Sequence, residues 1–283
     1  VPNDLSFLTG LRRRVKLAGN GPRAMVLEGN RVYVTGYFSD TMDSFEISGE
    51  GMPKITSMKL GAEVPMTDER KGEMFFNDSS LCFQHWQSCA SCHPDARVDG
   101  LNWDLLNDGI GNPKNTKSML FSHFTPPVMG LGIREDAKKA VRSGIKNIQF
   151  AVRSEEDASA IDAYLTALKP VPSPRLEKGR MSESAQRGKA VFEKANCASC
   201  HSGEYYTDLK QHDLGTATGM DVGKPMDTPT LAEVWRTAPY LHDGRAADLT
   251  ELFRKYNPDD LHGSTAALTD AELADLIAYV LSL

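Results

Sequence analysis

Cys89-Ala-Ser-Cys92-His93 and Cys197-Ala-Ser-Cys200-His201 are two copies of one pentapeptide, 108 residues apart. C-x-x-C-H is the spacing of c-type haem attachment. Two thiols add to the two vinyl groups on one edge of the porphyrin, and the adjoining histidine reaches the iron as its proximal ligand. A redox disulfide or half of a zinc site also uses C-x-x-C. Neither needs a trailing histidine, and zinc would want both pairs close in space. The pattern therefore predicts two covalently bound haem c groups, held by Cys89, Cys92 and His93 and by Cys197, Cys200 and His201. The fifth cysteine, Cys82, sits between Leu81 and Phe83 and reads as a buried free thiol.

The rest of the composition narrows the class. The chain has 283 residues, of which 40% are hydrophobic and 25% charged, so it can bury an ordinary core. Five cysteines are too few for a disulfide scaffold. No apolar run approaches the ~18 residues of a membrane span. A net charge of −6 argues against a nucleic-acid partner. The chain opens at Val1 without an initiating Met or a signal-like stretch, and reads as a processed or truncated product. Haem attachment of this kind points to an exported bacterial protein, in the periplasm.

Residues 1–66 differ in pattern from residues 67–283. Val32-Tyr33-Val34-Thr35 and Ser44-Phe45-Glu46-Ile47 are short β-branched or aromatic runs bounded by Gly, Asn or Asp, as strands are. The stretch from Gly21 to Thr41 resembles one blade of a YVTN-type β-propeller, and one blade cannot bury its own faces. A plain antiparallel hairpin is the simpler alternative.

Helical patterns begin at Thr67-Asp68-Glu69-Arg70, at Ser154-Glu155-Glu156-Asp157 and at Ser182-Glu183-Ser184-Ala185. The last of these is expected to run to Cys197. A capped amphipathic helix closes the chain from Thr269 through Leu273, Leu276, Ile277 and Val280. Pro170-Val171-Pro172-Ser173-Pro174 cannot be helical and reads as a stiff linker. The expected fold is mainly α: a small antiparallel β segment (1–66), then two tandem cytochrome-c-like haem domains (67–170 and 171–283).

Residues 67–283 resemble the bacterial di-haem cytochrome c peroxidase family, which includes the MauG enzymes. The strings that carry the likeness are Gly72-Glu73-Met74-Phe75-Phe76-Asn77-Asp78, Gly111-Asn112-Pro113-Lys114-Asn115-Thr116, Arg187-Gly188-Lys189-Ala190-Val191-Phe192 and Thr228-Pro229-Thr230-Leu231. The most specific is Ala238-Pro239-Tyr240-Leu241-His242-Asp243-Gly244.

The resemblance implies an N-terminal haem that meets hydrogen peroxide and a C-terminal haem that stores electrons, with high-valent iron shared between them. Peroxidases take a Met fourteen residues after the histidine of P-Y-x-H-D-G as distal ligand of the C-terminal haem. That position here is Tyr256, as in MauG-type enzymes; Met220 and Met226 are alternatives, and a packed aromatic is the structural one. For the N-terminal haem the resting peroxidases' second histidine would fall at Asn107, which implies an open iron unless His123 reaches it. The family's acid–base carboxylate falls near Gln149, and Glu135 is the nearest carboxylate. The inter-haem Trp falls near Gly130 and is absent; Trp86, Trp103 and Trp235 are substitutes. An inter-domain calcium ion maps onto Asn115 and the carbonyls of Thr237 and Pro239, oxygen donors that suit a hard cation.

The expected activity is a peroxide-using di-haem oxidoreductase, taking its reducing equivalents from a small redox protein or a protein substrate. The family also implies a homodimer. Two competing readings are a di-haem electron-transfer cytochrome without peroxidase activity, and a binding or sensor module centred on residues 1–66.

Overall fold

The structure is a computed structural model that describes every residue except 1–5, 7–9, 12, 50, 105–108 and 110. It separates into two compact units, Val1–Arg70 and Lys71–Leu283.

The first unit is a four-stranded antiparallel meander: β1 (Pro22–Glu28), β2 (Arg31–Gly36), β3 (Thr41–Glu46) and β4 (Thr56–Lys59), paired in that order. Period-two alternation decides which face is covered. Val32 and Val34 of β2 and Phe45 of β3 form its buried cluster, with Val15, Leu17 and Ile55 packed on them. Asp43 joins that face, and its carboxylate accepts from the Ala18 and Gly19 amides at 2.7 and 2.8 Å. Those two bonds fasten the incoming chain to the sheet. Gly29, at φ +56, makes the tight turn between β1 and β2.

The second unit contains two helix pairs built alike. α1 (Asp68–Asn77) leads to the one-turn helix α2 (Cys89–Cys92), then to a short ladder of β5 (Asn102–Trp103) with β6 (Lys114–Asn115). α3 (Ala137–Asn147) and α4 (Glu155–Ala167) close this half, and α5 (Glu183–Lys194) opens the next. There a second ladder, β7 (Gln211–His212) with β8 (Met226–Asp227), precedes α6 (Leu249–Lys255) and α7 (Asp270–Val280).

α1 packs on α4 and α5 on α7, each at a glycine. A Cβ on Gly72 would collide with the Ala160 carbonyl, and one on Gly188 with the Asp275 carbonyl. One turn further on, Phe76 meets Tyr164 with ring centroids 5.4 Å apart, and Phe192 meets Tyr279 at 5.3 Å. Around these pairs lie Phe75, Ile161 and Leu165 in one core and Val191, Leu276 and Val280 in the other. Each such side chain contributes roughly 1.5–3 kcal/mol by leaving water.

The loops repeat as well. A Val128–Arg134 bridge precedes α3 and a Tyr240–Ala246 bridge precedes α6. Asp136 caps α3 through the Lys139 amide (2.7 Å), and Asp248 caps α6 through the Glu251 amide (2.8 Å).

Of the described residues 32% are helical and 14% in strands, so the architecture is mixed rather than mainly α. The helix starts at Ser154, Ser182 and Thr269 are caps as the sequence indicates. α5 ends at Lys194, short of Cys197, because Asn196 turns left-handed at φ +59. The proline-rich stretch is bound rather than free: the Val171 amide donates to Glu233 at 2.5 Å and the Ser173 hydroxyl to the Leu281 carbonyl at 2.6 Å.

Candidate haem sites

Both pentapeptides sit on tight turns. Cys89–Cys92 is the single turn of α2, capped reciprocally by Ser88 and Ser91. Cys197–Ser199 is a 3-10 turn entered through Asn196. None of the four thiols is in a disulfide, and Cys82 is buried and free. Among the described residues the two pairs do not converge on one metal cluster; the one triad found joins Cys200 to Asp208 and His212.

The histidines are set identically. The Nδ1 of His93 lies 3.1 Å from the Arg97 carbonyl, and that of His201 lies 3.1 Å from the Tyr206 carbonyl. A carbonyl only accepts, so each Nδ1 carries the proton and each Nε2 keeps its lone pair. Burial pushes both imidazoles below their usual pKa, so both are neutral at neutral pH. A neutral imidazole with a free, oriented Nε2 is the form that binds iron. These residues fit a covalently held haem.

The two halves are joined beside the first site. Arg97 is buried, and its guanidinium makes a bidentate pair with the fully buried Glu233 at 2.6 and 2.9 Å. Arg97 also donates to the Lys169 carbonyl at 3.1 Å. Burial pushes the Glu233 carboxyl up; Arg97, the Val171 amide and Arg236 pull it down by more, leaving it below its ordinary value. The residue whose carbonyl orients His93 thus also pins the second half.

The remaining expected residues are spread more widely. Glu135 is 72% exposed at its side chain and pairs with Lys139. Gln149 is buried, and its amide donates to the Cys89 sulfur at 3.5 Å. Its neighbour Phe150, with Phe83, Gln84 and Trp86, lines an open apolar surface depression of about 600 Å³. His123 is committed: its Nε2 is 2.9 Å from Asp162, which Arg142 also binds at 2.5 Å. Asn107 lies outside the described residues.

Asn115 and Pro239 are together, the Asn115 amide donating to the Pro239 carbonyl at 2.5 Å. The Asn115 Oδ1 is buried without a partner. Thr237, two residues before Pro239, donates its amide to the Val234 carbonyl at 3.2 Å. Gly130 accepts from the Asp227 amide at 3.0 Å. Trp86 is exposed, and Trp103 is exposed but donates to Asp99 at 2.7 Å. Trp235 has a buried, unpartnered indole nitrogen.

Tyr256 ends α6, with the Arg245 guanidinium and the Lys255 ammonium 5.3 and 4.9 Å from its ring centre. Met220 is exposed, and Met226 lies in the short ladder with His212. A residue that no motif spacing marks lies beside His201: the His262 ring centroid is 6.3 Å from that of His201. Burial first, then His201, push the His262 imidazole down to about 4, and its Nδ1 is buried without a partner.

Residues 185–283 match the family model for cytochrome c. The chain is 30% identical over 271 residues to the hydrazine synthase subunit gamma of Kuenenia stuttgartiensis, covering 76% of this chain and 77% of that one. A solved structure of that organism's hydrazine synthase superposes with a TM-score of 0.69 at 26% identity, covering 84% of this chain and 99% of that one. The methylamine utilization protein MauG of Methylophilus methylotrophus is 27% identical over 280 residues, covering 77% and 83%. The cytochrome-c peroxidase IdrP1 of Denitromonas iodatirespirans is 30% identical over 324 residues, covering 80% and 84%. The haem-binding turns and these relatives agree on an oxidoreductase with covalently bound haem c, and the chain belongs to the bacterial di-haem cytochrome c peroxidase and MauG family.

Proposed function

We propose that this chain carries two haem c groups in tandem domains, 67–170 and 171–283, and uses hydrogen peroxide as its oxidant at the first. The observation that carries the reading is the commitment of His123 to Asp162, which keeps that imidazole off the His93 site. When bound, the two haems supply peroxide cleavage at one iron and storage of an electron at the other. Cys89 and Cys92 anchor the first porphyrin, and His93 orients it through the Arg97 carbonyl. Phe83, Trp86 and Phe150 offer apolar surface for its face. Gln149 is the better candidate to orient a ligand there, since it is buried beside Cys89, whereas Glu135 is a solvent-facing carboxylate. An amide holds a proton by hydrogen bonding without transferring it, so proton exchange runs through water.

Arg97 links the His93 side to Glu233 of the second half, its backbone carbonyl accepting from His93 and its guanidinium donating to Glu233. A calcium ion bound by Asn115 and the Thr237 and Pro239 carbonyls would stiffen the same junction; a half-turn of the Asn115 amide presents its unpartnered Oδ1 to the cation. The natural setting of such a protein is the periplasm, with a small redox protein or protein substrate as the electron source. No described helix is long and apolar enough to cross a membrane. The oxidised protein is expected to show a high-spin band that shifts on adding one equivalent of peroxide. Two low-spin haems indifferent to peroxide would leave an electron-transfer cytochrome instead.

A second reading is favoured by β1, whose Met25, Val26 and Leu27 are exposed, and by the likeness to a protein named as a subunit. In it the sheet docks the chain into a larger haem assembly.

A further inference from the structure

We propose that His262 is the axial ligand opposite His201, so that the second haem is held between two imidazoles. The inference rests on the reading that haem is attached at Cys197 and Cys200. Two imidazoles on one metal have ring centres about 6 Å apart, since each metal–nitrogen bond is about 2.0 Å and each ring centre lies roughly 1 Å beyond its nitrogen. His201 and His262 are 6.3 Å apart, with their planes 42° from each other. Neither ring hydrogen-bonds to the other. A buried ring nitrogen without a partner calls for an explanation, and in His262 that nitrogen is Nδ1. Iron between the rings supplies one.

The loop that presents His262 is built for one position. The Asn257 amide donates to the carbonyls of His262 and Gly263 at 3.1 and 2.9 Å and to the Thr265 hydroxyl at 2.9 Å. Its Oδ1 accepts the His262 amide at 2.8 Å. Asp260 accepts the Thr265 and Ala266 amides at 2.7 and 2.8 Å. The Ser264 amide donates to the Ala195 carbonyl at 2.9 Å, two residues before Cys197. A Cβ on Gly263 would lie 3.5 Å from the Cys197 sulfur, so the loop is fitted against the haem-binding turn itself. Phe253 flanks the His262 ring at 6.3 Å.

Tyr256 lacks these features. It ends a helix and offers its ring to two cations. A site closed by two imidazoles has no position for an oxidant. It serves as a relay and leaves the chemistry to the His93 side.

The test compares the oxidised holoprotein with His262→Ala, His262→Met and Tyr256→Phe. The readouts are haem content, the low-spin electron paramagnetic resonance signal and the near-infrared charge-transfer band. Full haem content with one bis-imidazole centre is expected in the parent. His262→Ala should lose that centre and regain it on adding imidazole; His262→Met should replace it with a histidine–methionine band. Tyr256→Phe should leave it unchanged. Full haem content without a bis-imidazole signal, or its loss in Tyr256→Phe alone, overturns the assignment while leaving the haem reading intact. A chain that carries no haem at Cys197 and Cys200 overturns both.

Discussion

Two histidines, each fixed by a backbone carbonyl, show how few atoms a candidate haem site needs from the sequence. His93 and His201 are legible because two cysteines at fixed spacing precede each, and the covalent chemistry demands that order. His262 is not legible in this way. It sits in Asn257-Pro258-Asp259-Asp260-Leu261-His262-Gly263-Ser264-Thr265, whose turn-forming composition reads as an ordinary surface loop. Only the folded arrangement turns Asn257 inward and makes it the hub of that loop. Removing its side chain strips partners from two half-buried carbonyls, a buried hydroxyl and an amide. Each buried polar group left unsatisfied costs roughly 1–3 kcal/mol, so Asn257→Ala is expected to destabilise the holoprotein by about 3 kcal/mol. The shift in denaturant midpoint measures it. A change of a few tenths would mean that the loop takes its shape from elsewhere.

Helices are more legible in the sequence than the contacts between them. The caps at Ser154, Ser182 and Thr269 follow from side chains that accept an amide three residues on. Neither α3 nor α6 is among the helices expected from the sequence: α6 spans only seven residues, too few for an apolar period to show, while α3 turns Val141 and Ile145 to the core, and each starts at an Asp cap after a short bridge. The Arg97–Glu233 pair is invisible too, since its partners are 136 residues apart in the chain. Breaking a buried pair by removing one partner costs about 3–5 kcal/mol, and its acid dependence has a definite sign. Glu233 is held below its ordinary pKa in the folded chain. Its contribution is therefore present above the unfolded value, about 4.3, and is lost as pH falls through the folded value. Below about pH 4, thermal unfolding of the parent should fall more steeply with acid than that of Glu233→Gln. Equal slopes for the two proteins would show that this carboxyl carries none of the acid sensitivity.

At the scale of the whole molecule the chain divides its work unevenly. The four cysteines and two histidines of the C-x-x-C-H pentapeptides, His262, the Arg97–Glu233 pair and the Asn115–Pro239 bond lie within Lys71–Leu283. The sheet of the first unit has its own buried cluster and its own hydrogen-bonded anchor at Asp43. Its alternating strands are legible in Val32-Tyr33-Val34 because one face is covered and the other is not; which partner, if any, covers β1 is not written in that alternation. Cutting between residues 66 and 67 keeps Thr67, whose hydroxyl accepts the Arg70 amide at 3.3 Å, and leaves α1 whole. The chain from 67 to 283 is therefore expected to fold, to bind the same number of haems and to give the same response to peroxide. Pyridine haemochrome titration and the oxidised spectrum check this side by side with the full chain. If the truncated protein loses a haem or its peroxide response, the sheet belongs to the catalytic structure. If both survive and only the mass of a complex in solution falls, the sheet is where another subunit attaches, and Met25, Val26 and Leu27 are the first side chains to substitute.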